Sequence, residues 1–286
     1  MTNKDAHSIQ SANLNWYADS VSGTKSPIND DSWLVFSADI NGATFLKNQG
    51  SESIHSQDLI FVVSDGMGGG NAGNVASDLL TRILSALLPE ACEIAASGKT
   101  PDYIGLLEST VQDVHHAINM TADKDKARQG MAATLTLAWF TSQKLYFINV
   151  GDSRLYLYRK GIDQDDSQND LQQLSQDHTF AWRKLNRGEL TEREFRNHPH
   201  RSALYQVMGG GNATVKAYSS TINYAIGDQF LLCSDGLIDG VWQKHIHSAF
   251  SKNLGCMSTL ADHLMSRSIN NDDTDDTTLI TVAITN

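Results

Sequence analysis

An α+β fold with antiparallel strands is what this sequence predicts, and two observations carry the prediction. Residues 132–140, 145–150 and 154–158 are short strand-like runs divided by Ser142-Gln143-Lys144 and Gly151-Asp152-Ser153. Turns that short join antiparallel neighbours, because a parallel crossover takes a dozen residues or more. Earlier in the chain, Leu79, Leu80, Ile83, Leu87 and Leu88 recur at helical spacing, and after Pro101 a second helical stretch covers 104–120. The apolar faces of both helices are assigned to core. No internal repeat occurs at any solenoid period.

In chain order, residues 1–13 are expected to be a polar, loosely attached tail. Residues 16–20 and 33–38 are rich in aromatic and branched side chains and are predicted strands. The Gly/Ser/Pro loop between them carries Asn29-Asp30-Asp31, which an ordinary Asx turn would also explain. Residues 41–57 are assigned to a polar connection. The apolar run Leu59-Ile60-Phe61-Val62-Val63 then leads into Asp65-Gly66-Met67-Gly68-Gly69-Gly70. Residues 161–173, with Asp163, Asp165, Asp166 and Asp170, are expected to be an exposed loop. Residues 178–207 interrupt the strand rhythm with a basic, partly helical excursion containing Arg183, Arg187, Arg193, Arg196 and Arg201. Strands are expected again near Val215 and at 229–233, followed by a helix at 258–269 and a last strand at 277–284.

Composition narrows the function. The 286 residues suffice for one large domain or two ordinary ones, and 40% hydrophobic content supports a substantial core. The formal charge of −11, from 33 Asp and Glu against 22 Lys and Arg, argues against a nucleic-acid surface. Cys92, Cys233 and Cys256 are widely spaced and form no CxxC pair, so neither a disulfide framework nor a zinc knuckle is indicated. The polar start lacks the pattern of a secretory signal, and no apolar run approaches the roughly 18 residues of a membrane span. A cytoplasmic protein with no membrane insertion is expected.

The chemistry-bearing residues are acids at strand ends. Phe230-Leu231-Leu232-Cys233 runs into Ser234-Asp235-Gly236 much as the 59–63 run leads into Asp65-Gly66, and two such ends could meet over one site. Asp30, Asp31, Asp65, Asp152, Asp235 and Asp275 each lie in a turn beside an apolar strand. An oxygen-rich pocket of that kind suits Mg²⁺ or Mn²⁺ rather than zinc. Two such ions, about 4 Å apart, suit in-line hydrolysis at phosphorus.

Six motifs occur in order: Asn29-Asp30-Asp31, Asp65-Gly66-Met67-Gly68-Gly69, Gly130-Met131-Ala132-Ala133-Thr134-Leu135, Gly151-Asp152-Ser153-Arg154, Ser234-Asp235-Gly236 and Asp275-Asp276-Thr277-Thr278. Together they resemble the PP2C (PPM) family of metal-dependent protein Ser/Thr phosphatases over about residues 14–285. The resemblance implies a single phosphatase domain over 14–286, built as a central antiparallel β-sandwich flanked by helices on both sides, with a flap at about 178–210. It implies that Asp65 bridges two metals, that the Gly66 carbonyl binds the second, and that Asp235 and Asp275 hold the first. Asp152, with Asp235, matches a third and weaker site of bacterial members. Asp31 matches the last acid of the first motif, and Asp30 stands where the family has Glu or Gln.

Two departures stand out. The family's phosphate-binding Arg falls on Ser26, with Lys25 beside it as a point-charge substitute. Met67 stands where eukaryotic members carry a His proposed as general acid, and a thioether cannot donate a proton. The resemblance implies phosphoprotein substrates, an opposing bacterial Ser/Thr kinase and a monomer. Residues 68–73 and the flap further resemble phosphatases that oppose a Ser/Thr kinase in type VI secretion. Arg193 and Arg196 of the flap are expected to engage phosphoproteins. A two-metal nuclease and a binding module without turnover are the competing readings; the acidic charge disfavours the first, and Asp65, Asp235 and Asp275 together disfavour the second.

Overall fold

A computed structural model describes residues 12–25, 28–55, 57–68, 72–161, 170–253 and 255–286. The chain runs through β1 (Asn13–Val21), β2 (Asp31–Asp39), β3 (Gly42–Phe45), β4 (Gln49–Ser53) and β5 (Asp58–Met67), then α1 (Ala72–Leu87), α2 (Glu90–Ala96) and α3 (Tyr103–Asp123). The meander β6 (Ala132–Ala133), β7 (Leu135–Phe140), β8 (Leu145–Val150), β9 (Arg154–Tyr158) and β10 (Leu171–Gln173) follows, and α4 (Phe180–Asn186) and α5 (Glu192–Arg196) form the excursion. The chain then makes β11 (Met208–Gly209), β12 (Tyr218–Ile222), β13 (Gln229–Cys233), α6 (Asp235–Gly240), α7 (Gln243–Lys252), α8 (Met257–Asn271) and β14 (Thr277–Thr285).

Two antiparallel sheets result. One is ordered β10-β9-β13-β14-β1-β4; the other runs β11-β6-β5-β7-β8-β12, with β2 paired to β5 and β3 to β2. Alternation along each strand sorts the side chains into layers. Leu59, Phe61 and Val63 of β5 meet Phe230 and Leu232 of β13 and Ile280 and Val282 of β14 between the sheets. Ile60 and Val62 face the other way, onto Leu80 and Leu84 of α1 and Val111 and Val114 of α3. Leu231 and Leu279 face outward under Ile246 of α7 and Leu260 and Leu264 of α8. The strands apolar on both faces are therefore those covered on both sides, and the architecture is the helix-flanked antiparallel sandwich that was expected.

Differences lie where periodicity is weak. The expected polar connection at 41–57 contains β3 and β4, exposed edge strands whose polar residues carry no clear alternation. The tail expected to reach residue 13 gives way earlier: Ala12 is buried, its carbonyl accepts from Ile54 N at 3.2 Å, and β1 begins at Asn13. Residues 1–11 of that tail lie outside the described residues. The strand expected near Val215 is β12, whereas Val215 itself is buried against the α3 layer. Of the loop expected at 161–173, Asp163, Asp165 and Asp166 lie outside the described residues. Asp170 is buried rather than exposed, accepting from Gly161 N at 2.9 Å beside the β9–β10 pair.

Candidate active site

Register brings the acidic turns to one end of the sandwich. Asp31 of β2 stands opposite Asp65 of β5. Val21 stands opposite Thr277, and the pairing continues past the strands, with Thr24 N donating to Asp273 O and Lys25 N to Thr274 O. Cys233 pairs with Leu279 on one side and Arg154 on the other. The ends of β5 and β13, the starts of β2 and β14, and the β8–β9 turn thus open together. Lys25, Asp30, Asp65, Gly66, Asp152, Asp235 and Asp275 all line one cleft of ≈ 500 Å³ there.

Two glycines make this convergence sterically possible. A Cβ on Gly66 would lie 2.2 Å from Gly73 O and 2.6 Å from Asp30 O, so the end of β5 threads between the β2 loop and α1 only as glycine. A Cβ on Gly236 would meet Asp276 O at 2.1 Å, so the turn carrying Asp235 abuts the start of β14 for the same reason.

The expected site residues do not all stand in equivalent places. Asp31 is set behind the cleft, where its carboxylate accepts from Ser234 Oγ at 2.7 Å and ties β2 to the turn before Asp235. Asp30 lines the cleft, but Asn74 N of α1 donates to its Oδ1 at 2.9 Å, so this acid also caps the helix. Lys25 is exposed, with Nζ 3.4 Å from Asp275 Oδ2, and that carboxylate raises its pKa. Ser26, Gly69 and Gly70 lie outside the described residues.

Burial raises the pKa of Asp65, and neighbouring charges add to the rise, Asp235 first and then Asp31, Asp152 and Asp275. Asp152 is raised by burial and then by Asp235. For Asp235, burial and Asp275 push upward, while Arg201, a hydrogen bond with Asp65 and Lys25 pull downward. Partly buried like charges of this kind call for countercharge. Among the described residues, no three His, Cys, Asp or Glu side chains converge closely enough to hold an ion by themselves. An all-oxygen set with one or two carboxylates per ion and water filling the remaining positions is what Mg²⁺-like cations accept. The donors therefore fit such a cation.

Some contributors were not singled out from sequence. Asp276 accepts from Gly23 N at 2.8 Å and from Asp30 N at 2.7 Å, pinning both loops to the start of β14. Arg154 and Asp177 form a buried ion pair at 2.6 Å, under which the next residue, His178, accepts from Gly151 N at 3.1 Å and donates its own N–H to Gly151 O. Burial, and then Arg183, lower the His178 pKa to about 4, keeping the ring neutral as that acceptor requires. The excursion is thereby fastened to the Asp152 turn. Arg201 pairs with Asp239 and lines a small recess with Asp152 and Asp235. Arg196 contradicts the role expected for it, because it is a strut. Its guanidinium donates to Ile238 O at 2.6 Å and Val241 O at 2.8 Å and lies over Trp242. The sequence flagged these arginines only as a basic run; which ones face inward depends on partners at residues 238–241, 38 to 45 residues away.

A helix-flanked sandwich with carboxylates crowded at one end suits metal-assisted hydrolysis at phosphorus. A family model for protein phosphatase 2C matches residues 49–271. The chain is 31% identical over 182 residues to the serine/threonine phosphatase Stp of Listeria innocua, covering 64% of this chain and 68% of that one. Stp1 of Staphylococcus aureus superposes with a TM-score of 0.76 at 25% identity, covering 96% of each chain. The catalytic domain of the phosphatase PstP, solved in complex with two manganese ions, shares the fold with a TM-score of 0.71 at 24% identity, covering 96% of this chain and all of that one. The chain belongs to the protein phosphatase 2C family, the metal-dependent protein serine/threonine phosphatases.

Proposed function

We propose that this cleft hydrolyses phosphoserine and phosphothreonine in proteins with Mn²⁺ or Mg²⁺, opposing a bacterial Ser/Thr kinase. The observation that carries the reading is the meeting of Asp65 and Asp235, 170 positions apart in sequence, in one cleft with Asp152 and Asp275. Asp65, Gly66 O, Asp235 and Asp275 are the groups assigned to two tight metal positions, and Asp152 with Asp235 to a weaker third. Bound divalent cations supply charge for the phosphoryl oxygens and activate water as the nucleophile. Asp30 and Asp31 act at one remove, Asp30 through the α1 terminus and Asp31 through Ser234. Lys25, tethered by Asp275 at the rim, is assigned to the substrate phosphate. Met67 lines the cleft and has no proton to give, so leaving-group protonation falls to water. A monomeric cytoplasmic enzyme over residues 14–286, acting in type VI secretion control, completes the proposal; the resemblance of residues 68–73 and of the flap supports that setting.

The experiment is turnover of a phosphothreonine peptide by the purified chain with Mn²⁺, with Mg²⁺ and with excess chelator, beside a plasmid-cleavage assay. Metal-dependent release of phosphate with intact plasmid is expected. Turnover that survives chelation, or cleavage of plasmid in place of peptide, would refute the reading.

A further inference from the structure

Residues 178–207 carry six of the chain's 22 Lys and Arg but only three of its 33 Asp and Glu, a cationic segment on a molecule of formal charge −11. Several of those cations are already engaged: Arg196 by the α6 carbonyls, Arg201 by Asp239 and Arg187 by Glu189. Arg183 is different. It is exposed, it lies 4.2 Å over the Tyr205 ring with Nε 3.2 Å from the phenol oxygen, and among the described residues no carboxylate stands within ion-pair distance of it.

Beside it, Phe180 opens α4 with its ring turned outward. Thr179 caps that helix by accepting from Trp182 N at 3.1 Å, and Ala181 and Trp182 take the buried face. Phe180 is left 52% exposed with its ring 5.4 Å from Tyr205. A single exposed Phe is ordinary. Here, however, it shares a surface with a tyrosine and an unneutralised guanidinium, a combination that binds peptides well. The surface is also continuous with the cleft. Leu204 and Ser202 line the cleft, so Tyr205 is one residue beyond its wall, and Phe180 follows Thr179, which bridges to Leu204.

We propose that Phe180, Arg183 and Tyr205 form a docking ledge for an acidic segment of the phosphoprotein substrate flanking the phosphorylated residue. This rests on the phosphatase reading of the cleft and names the class of substrate it selects. Charge complementarity decides the occupant: on a chain of formal charge −11, an acidic segment finds its countercharge on this cationic stretch, where Arg183 stands free of any carboxylate partner among the described residues.

The test compares kcat/KM, in Mn²⁺, for two peptides sharing one phosphothreonine, flanked on both sides by Asp in one and by Asn in the other. Wild type is expected to favour the Asp peptide by roughly tenfold, a preference that fades as salt screens it. Arg183→Glu is expected to invert the preference, and Phe180→Ser to lower kcat/KM for both peptides while leaving the ratio above one. Each ratio compares two substrates on one enzyme preparation, so loss of folded protein cancels. A wild-type ratio near one, or a ratio that Arg183→Glu leaves unchanged, overturns the ledge while peptide turnover leaves the phosphatase reading standing. Absence of turnover of both peptides overturns both.

Discussion

Strand β5 carries an acid at each end, and the two are treated in opposite ways. Asp58, at the start, has a dedicated donor: Trp139 Nε1 reaches its Oδ2 at 2.9 Å. Burial raises its pKa to about 6, with the Trp139 bond pulling the other way, so it can shed its charge by taking a proton in mildly acidic conditions. Asp65, seven residues on, is surrounded by Asp235, Asp31, Asp152 and Asp275, and its backbone N–H donates to Thr134 Oγ1. One end of the strand satisfies a half-buried carboxylate from within the protein; the other gathers several carboxylates, an arrangement that suits a bound cation. An acid held by a donor and the acid proposed to function are therefore told apart by their neighbours, since burial raises both.

The largest expected effect breaks the functional end. Asp65→Asn and Asp235→Asn are each expected to lower kcat by three orders of magnitude or more, about 4 kcal/mol, with the fold kept. The unliganded variants are expected to melt no lower than wild type, because a repelling charge has gone, while the rise in Tm on adding Mn²⁺ shrinks. Either variant retaining more than a tenth of the wild-type rate would dismiss the two-metal assignment.

Next comes the structural end. The folded state holds the Asp58 proton up to about 6, whereas an unfolded chain releases it near 3.8. Its contribution to stability is accordingly full below that lower value and lost as pH rises through about 6, an upper bound of ~3 kcal/mol. Asp58→Asn keeps an acceptor for Trp139 and removes the titration. Denaturant unfolding from pH 4 to 7 is expected to lose part of its decline in this variant; identical pH profiles would mean that Asp58 titrates in the folded protein as it does in the unfolded chain.

A smaller effect separates strut from surface within the flap. Arg196→Ala withdraws the donors from Ile238 O and Val241 O, and a stability loss of about 2 kcal/mol is expected. Arg193→Ala, on an exposed side chain, is expected to fall within ~0.5 kcal/mol of wild type. Equal losses in urea unfolding would show that the contacts of Arg196 contribute nothing particular.

Much of the sandwich was legible because β5, β7, β13 and β14 each carry a run of apolar and branched residues and α1 and α3 are strongly periodic. Strands 145–150, 154–158 and 229–233 match their expected bounds. The edge strands β3 and β4 were not legible, since solvent leaves their alternation unconstrained, and α7 went unnoticed behind the polar Gln243-Lys244-His245 start. At the site, the Asp-Gly turns announced Asp65 and Asp235, because each combines an acid with a glycine that close packing demands. Asp276 carried no such mark: beside Asp275 it is one more acid in a run, and only the pairing of β1 with β14 turns it toward Gly23 and Asp30. The arginines of the flap were visible as charge, but their separate partners are tertiary facts.

Lys25 gives the smallest expected effect and the finest test of the functional end. Its Nζ stands 3.4 Å from Asp275 on an exposed stem, so it is a mobile point charge without the planar fork that grips a phosphate at two oxygens. A charge at the rim meets the phosphate similarly in the bound substrate and in the transition state, and such uniform binding appears in KM rather than in kcat. Lys25→Ala is expected to raise KM for a phosphopeptide several-fold, under ~1.4 kcal/mol, with kcat within about twofold. Lys25→Arg restores the charge and adds the fork, and is expected to return KM to the wild-type value or below. If Lys25→Ala lowers kcat at constant KM, the ammonium acts on the reacting end through Asp275; if neither constant moves, Lys25 only neutralises Asp275 and the substrate phosphate is held by other groups.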